Sequence, residues 1–231
     1  RITSGGKVGI NITNPDDYNS SGNELVLGKT GNNSGMTIVS GTANSGTIFF
    51  ADGTGSNAAI RGTIKYEHNN NALAFNTDTT ERLRINSGGN ILIGTTVDSQ
   101  FNGARNSRVQ IDGLTDASSA ISLIRNSNDA NPSHFALGKS RGTSAGSNTA
   151  VQNGDNIGSI EFNAADGSGT FNTHAEIVSK VDGVAGPNDH PGSLVFKTKI
   201  GTTLNERMTI SSGGNVSIVD GNLVVASGHG I

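Results

Sequence analysis

The chain has 231 residues, of which 33 are glycine and none is cysteine, and its formal net charge is −3. The absence of cysteine excludes disulfides, cysteine nucleophiles and Cys-ligated zinc. The balanced charge offers no basic stripe for nucleic-acid phosphates, and no apolar run is long enough for a membrane helix. We therefore predict no nucleic-acid partner and no membrane insertion.

Large apolar side chains are scarce, because apolar residues make up 32% of the chain and aromatic residues only 4%. Ordering a backbone costs about 1–2 kcal/mol per residue, which a narrow apolar stripe offsets only if something covers it. A closed cyclic assembly brings one stripe from each chain to a common axis. We predict a homotrimer, whose chains are either intertwined or packed side by side.

Short stretches of alternating apolar and polar residues predict β-strands along the whole chain, separated by clusters of Gly, Asn, Asp and Ser. No segment has the period of an amphipathic helix, and residues 16–20 form at most one helical turn. In chain order, the predicted strands and hairpins cover residues 24–28, 36–40, 47–51, 60–67, 72–76, 81–93, 108–112, 119–125, 134–138, 157–163, 173–181, 193–199 and 206–218.

One element recurs without gaps: RITSGGKVGI at residues 1–10, RINSGGNILI at 84–93 and TISSGGNVSI at 209–218. The last two copies follow Glu-Arg-Leu and Glu-Arg-Met. Paired glycines supply the positive φ of a tight reversal, so we place Gly88, Gly89, Gly213 and Gly214 in hairpin turns. The apolar positions that flank these turns are the predicted trimer core: Leu83, Ile85, Ile91, Ile93, Met208, Ile210, Val216 and Ile218.

The copies of this element lie about 80 and about 125 residues apart, which excludes a regular short-period solenoid. The segments between the copies also resemble one another. GTIFFADGTG (46–55) is similar to GSIEFNAADGSG (158–169), and LVLGKTG (25–31) is similar to FALGKSRG (135–142). We predict an elongated all-β chain of tandem modules with antiparallel hairpins. Its parts are the end of a preceding repeat (1–22), a first module (23–97), a linker (98–107), a second module (108–219) and an exit strand (220–231).

The stretches ERLRINSGGNILIGTT and ALGKSRGTSAG, followed by GDNIGSIEFNAADG, make nearly the whole chain resemble the repeat regions of phage tail-fibre and related appendage proteins, in particular those of phages of marine bacteria such as cyanobacteria. The resemblance implies a homotrimeric shaft or head that contributes to host recognition. It also implies a place in the virion, outside the cell, with other tail proteins as partners.

Motifs that could support catalysis lack the context they need. GTSAG at residues 142–146 matches the nucleophile elbow around Ser144, but no apolar strand precedes it and no helix pattern follows. Gly28-Lys29-Thr30 and Gly138-Lys139-Ser140 match only the end of a phosphate-binding loop. We predict no catalytic residue, no cofactor and no metal, although a ring of three His229 side chains on a trimer axis would be an ion site that spacing cannot exclude.

Two other hypotheses compete with a structural fibre. In the first, the chain is a glycan-binding recognition module of a phage or a bacterial adhesin, with the polar loops 54–57, 142–148 and 183–191 contacting host surface glycans. In the second, it is a polysaccharide depolymerase, which needs paired carboxylates. Its available acids are Glu161, Asp166, Glu176 and Asp182, and nothing in the sequence pairs them.

Overall fold

The computed structural model describes residues 2–102, 105–219 and 221–222. These residues form fifteen β-strands and three short 3-10 helices, which confirms the all-β prediction. The chain divides into two compact units, Arg1–Gly88 and Gly89–Ile231. Most of the predicted exit strand, including His229, lies outside the described residues.

The first unit contains a four-stranded antiparallel meander in which β3, β4, β5 and β6 pair in chain order. A separate parallel pair, β1 with β2, aligns Val8 with Leu25. The strands are β1 (Val8–Ile10), β2 (Leu25–Leu27), β3 (Ser45–Phe50), β4 (Gly62–Glu67), β5 (Ala72–Thr77) and β6 (Thr80–Ile85).

The second unit contains a longer antiparallel meander, in which β11 to β15 pair in chain order. Strand β8 adds to β12 in parallel, and β7 pairs with β10 in parallel. The strands are β7 (Ile91–Ile93), β8 (Gln100–Phe101), β9 (Arg105–Asn106), β10 (Val109–Ile111), β11 (Asn156–Ala165), β12 (Thr170–Val181), β13 (Gly192–Ile200), β14 (Thr203–Ile210) and β15 (Val216–Ile218).

The two meanders carry a β-bulge at equivalent places. In the first unit the register between β5 and β6 shifts after Phe75, and in the second the register between β13 and β14 shifts after Phe196. A bulge adds one residue to one strand and increases the local twist. The two meanders therefore share this local feature of their sheets.

The arginine of the repeated Glu-Arg pair has the same contact in both units. Arg82 Nε donates to Thr77 Oγ1 at 3.1 Å, and Arg207 Nε donates to Thr198 Oγ1 at 2.9 Å. Each bond joins the strand that contains the pair to the strand before it. The repeated Glu-Arg sequence is therefore explained by a cross-strand hydrogen bond next to the bulge.

The third copy of the SGG element is a β-hairpin. Ile210 pairs with Val216 across it, and Ser211 N donates to the carbonyl of Asn215 at 2.9 Å. The positive φ belongs to the second glycine of the pair, at 80° for Gly214 and 76° for Gly89. A side chain would be strained at these two positions.

Three predicted strands, at residues 36–40, 119–125 and 134–138, are not strands in the single chain. Within the described part of the chain, residues 33–40 and 120–139 form no backbone-to-backbone hydrogen bond. Their apolar side chains are also exposed, at 87% for Val39, 77% for Ile124 and 72% for Phe135. The prediction failed because an alternating segment becomes a strand only beside a partner strand.

These unpaired segments pass over equivalent points of the two meanders. A Cβ placed on Gly46, in β3, would lie 3.3 Å from Ile38, and one on Gly158, in β11, would lie 2.6 Å from Leu137. Ile38 and Leu137 therefore occupy matching positions. The similar sequences at residues 25–31 and 135–142 do not have equivalent places in the fold. The first segment contains β2, whereas the second lies over β11.

The close approach at Gly158 gives a stability prediction. We expect Gly158→Ala to destabilise the protein by about 1–3 kcal/mol, because the new methyl group displaces Leu137 from the sheet. Gly192→Ala is the matched control in the same sheet, since its Cβ would come no closer than 3.7 Å to another atom. Urea denaturation measures both, and equal effects of the two substitutions would contradict the packing.

The cores of both units are small. Among the described residues the buried apolar side chains are Pro15, Ala72, Ala74, Leu92, Val178, Val181 and Val195. The chain exposes 16328 Å², against about 9,800 Å² for a compact monomer of this mass. A single chain thus leaves much of its apolar surface in water.

Candidate functional site

One cavity is lined by residues of the loop 183–191 and by the last residue of the loop 142–148, two of the three loops predicted to contact glycans. Residues from the loops 142–148 and 183–191, with the residues adjoining the first loop, enclose about 540 Å³ in the second unit. The loop 54–57 belongs to the first unit. The cavity is lined by Lys139, Asn148, Thr149, Ala150, Val151, Ala185, Gly186, Pro187 and His190.

Ser140 holds the first loop closed. Its hydroxyl accepts from the backbone N–H of Thr149 at 2.9 Å and of Gly142 at 3.0 Å. The same hydroxyl donates to the Thr149 carbonyl at 3.2 Å. The backbone N–H of Arg141 donates to that carbonyl too, at 3.1 Å. The ends of a polar loop without secondary structure of its own are thereby fixed to each other.

Arg141 is committed to an ion pair beside the cavity. Its Nε and Nη2 donate to the two carboxylate oxygens of Asp155, each at 2.6 Å. This fork, together with the backbone N–H of Gln152, holds the pKa of Asp155 well below its usual range. Such two-point pairs have defined geometry. Arg141 thus positions the segment that leads into β11, and its charge is balanced by Asp155.

The second loop is a short hairpin tied to the residues before β11. Gly186 and Asp189 exchange backbone hydrogen bonds of 2.8 and 3.2 Å, and Asp182 N donates to the Pro191 carbonyl at 3.0 Å. Gly183 N donates to Asn153 Oδ1 at 2.9 Å, which links the hairpin to the residues before β11. Both walls of the cavity are therefore held by hydrogen bonds within the unit.

The lining combines positive, polar and apolar groups. Lys139 and His190 are exposed, and neither makes a hydrogen bond or ion pair with another described residue. Asn148 and Thr149 contribute an amide and a hydroxyl, whereas Ala150 and the neighbouring small residues are apolar. No carboxylate lines this cavity, so it lacks the paired carboxylates that a glycosidase needs.

Two of the candidate depolymerase acids face each other. Glu161 in β11 lies directly opposite Glu176 in β12, a pairing that only the sheet register reveals. Arg105 Nη2 contacts Glu161 at 2.5 Å, and Lys197 Nζ contacts Glu176 at 2.9 Å. The hydrogen bond from Arg105 lowers the pKa of Glu161. A glycosidase needs one protonated carboxyl, and a cation-paired carboxylate is poorly suited to that role.

The other two acids stabilise turns. Hydrogen bonds from Ser168 lower the pKa of Asp166 to about 2. Asp182 accepts the backbone N–H of Ser212 at 2.8 Å, and its pKa is lowered for that reason. Both carboxylates are ionised at neutral pH and accept backbone N–H groups, Asp166 from the nearby Ser168 and Asp182 from the distant Ser212.

Ser144 lies in a turn in which its carbonyl accepts the N–H of Ser147 at 3.1 Å. The chain continues after it without a helix, unlike a nucleophile elbow. In the described residues no cluster of three or more His, Asp or Glu side chains could hold a metal. Nor does any helix among them have the length and apolarity to cross a membrane.

The predicted trimer-core residues lie on β6, β7, β14 and β15. Val216 and Ile218, on β15, are 62% and 41% exposed in the single chain. The others are half-buried: Leu83, Ile85, Ile91, Ile93, Met208 and Ile210. All eight keep surface that another molecule could cover.

Ion-paired carboxylates give the protein a pH dependence. A hydrogen bond from Lys65 lowers the pKa of Glu67 below its usual 4.5, and Arg105 lowers that of Glu161. A lowered folded-state pKa stabilises the fold above the unfolded-state pKa, and this stability is lost as the pH falls through the folded-state value. We expect the melting temperature to fall on acidification below about pH 4.5, and less steeply in Glu161→Gln. A constant melting temperature between pH 6 and pH 3 would contradict this.

Comparison with solved structures finds the same fold in a viral fibre. The carboxy-terminal domain of the bacteriophage T5 L-shaped tail fibre superposes with a TM-score of 0.67, covering 88% of this chain and 94% of that chain at 16% identity. This chain has the fold of that domain. The same T5 domain with its intramolecular chaperone domain gives a TM-score of 0.68 at 14% identity, covering 89% of this chain and 66% of that one. No protein-family model and no curated protein matches the sequence.

Proposed function

We propose that the chain is a segment of a phage tail fibre, located in the virion outside the cell, which assembles as a homotrimer and takes part in host attachment. The fold shared with the T5 tail-fibre domain over 88% of the chain supports this proposal. So does the repeated fibre-like element of the sequence. In this role the partners are two further copies of the chain, other tail proteins and a host surface glycan.

The main observation in favour of a trimer is that residues 33–40 and residues 120–139 have no strand partner within the described chain. Their backbone makes no backbone hydrogen bond within the described chain, and their apolar residues are exposed. Exposed unpaired strand edges are templates for pairing with another chain. Neighbouring copies would supply the missing strands, which favours intertwined chains over chains packed side by side.

The predicted trimer core fits this assembly. Val216 and Ile218, exposed in one chain, would be covered by neighbouring copies near a common axis. The half-buried core residues of β6, β7 and β14 would lose their remaining exposure with them. A thin apolar stripe would thereby become a core that one chain lacks.

Light scattering on the purified protein tests the proposal. The expected mass is about 71 kDa, three times the 23.6 kDa of one chain. A folded, stable protein with the mass of one chain would contradict the trimer, because the unpaired segments would then need no neighbour.

A recognition module is the second candidate function, and the cavity shared by residues 139–151 and 183–191 favours it. Surface loops held on a rigid β-scaffold are common positions for recognition. Binding of host polysaccharide without release of reducing ends is the expected result. Release of reducing ends would instead favour a depolymerase.

A further inference from the structure

The lining of the cavity in the second unit contains basic side chains and no acidic one. It contains the ammonium group of Lys139 and the imidazole of His190, and no Asp or Glu side chain lines the cavity. Arg141, next to the cavity, is balanced by Asp155, whose pKa both Arg141 and, more weakly, Lys139 help to lower. Lys139 and His190 make no hydrogen bond with another described residue, so their donors favour a ligand that carries a negative group.

The rest of the lining fits a sugar ring better than a simple anion. Asn148 and Thr149 can exchange hydrogen bonds with hydroxyl groups. Ala150, Val151 and Pro187 add apolar surface for the C–H face of a ring. The volume of about 540 Å³ is within the range of small-molecule sites, whereas an inorganic anion would fill only one corner.

We propose that this cavity binds an acidic saccharide, a sugar unit whose carboxylate is held by Lys139 and His190. The inference rests on the proposed role in host attachment and adds the chemical class of the ligand. A charge-assisted hydrogen bond to the carboxylate is stronger than one between neutral groups. This bond would make the cavity bind an acidic sugar more tightly than a neutral sugar of the same size.

The cavity is ordered before any ligand arrives. Ser140 closes the first loop through Thr149, and Asn153 ties Gly183 of the second loop to the same unit. Binding to a preorganised site avoids part of the cost of ordering loops. Weak individual contacts can then give measurable affinity, which is increased further when three copies act together.

Calorimetric titration of the full-length protein tests the inference. The probes are oligosaccharides that contain galacturonate, glucuronate or sialate, the methyl ester of each, and inorganic phosphate. We expect at least one acid to bind about tenfold more tightly than its ester, a difference that one lost charge-assisted bond produces. Lys139→Ala and His190→Ala should each weaken binding of that acid about tenfold, and phosphate should not compete.

Lys199→Ala is the matched control, because Lys199 belongs to the same unit but lies outside the cavity lining. It should change affinity less than twofold. Equal binding of acid and ester, equal loss in Lys139→Ala and Lys199→Ala, or no binding of any probe would overturn the inference. Light scattering on each variant separates the two proposals: a trimer that binds no acid defeats only this inference, and a folded monomer defeats the proposed assembly.

Discussion

Replacing Ile121 and Leu123 together with Asp is expected to abolish the trimer. Their side chains are 70% and 51% exposed in the single chain, and they belong to the unpaired segment 120–139. If neighbouring chains cover this segment, the double variant places two carboxylates per chain in the interface. Burying an unpaired charge is far more costly than the contacts that it replaces. Light scattering should then give about 24 kDa, or aggregates, in place of about 71 kDa.

Ser122→Asp is the matched control for this experiment. Ser122 lies between the two apolar residues, so in an extended segment its side chain points to the opposite face. We expect this variant to remain trimeric, since the same charge is added at a polar position. A double variant that stays trimeric, or a Ser122→Asp variant that dissociates as fully, would show that the segment is not buried by apolar contact.

Replacing Arg84 with Ala should give the largest loss of stability within one unit. Its Nε and Nη2 donate to the carboxylate of Glu81 at 2.6 and 2.8 Å, and its Nη1 contacts Glu67 at 3.0 Å. The Arg84 side chain is only 11% exposed and Glu67 only 15%. Removing the cation leaves two poorly hydrated carboxylates with Lys65 alone, so we expect a loss of about 3 kcal/mol.

Arg82→Ala provides the comparison for Arg84. Arg82 is exposed and makes one hydrogen bond to Thr77, whose loss costs about 1 kcal/mol or less. Arg84→Lys should fall between the two, because an ammonium group cannot form the two-point contact. Urea denaturation ranks the three variants, and hydrogen exchange should show the loss in residues 45–85. Equal effects of Arg84→Ala and Arg82→Ala would refute the ion-pair network.

Local features of the fold followed from local sequence. Alternation predicted the strands of both meanders, and the paired glycines predicted the Ser211–Asn215 turn, because period and turn chemistry act over a few residues. The repeated Glu-Arg pair was recognisable as a motif. Its role was not, since the bond from Arg82 to Thr77 depends on which strands are neighbours.

The candidate site was also only partly predictable from the sequence. The loops 142–148 and 183–191 could be selected from their polarity and length, but only the fold shows that Asn148 of the first loop lines a cavity with residues of the second. The sequence did not single out Lys139 or His190 as binding residues. Lys139 was part of a sequence that matches only the end of a phosphate-binding loop, and His190 lies within the loop 183–191. Lys and His side chains in or next to the predicted glycan-binding loops were the signal that could have found both.

The sequence by itself determined that this protein is a β-structure with too few large apolar residues for a substantial core of its own. Both conclusions depend on composition and on patterns a few residues long. Only the tertiary structure decided that Glu161 faces Glu176, that the two loops meet, and that residues 33–40 and 120–139 find no strand partner in the chain. These features depend on register and on contacts between residues far apart in sequence, because a strand's neighbours are chosen by the whole sheet.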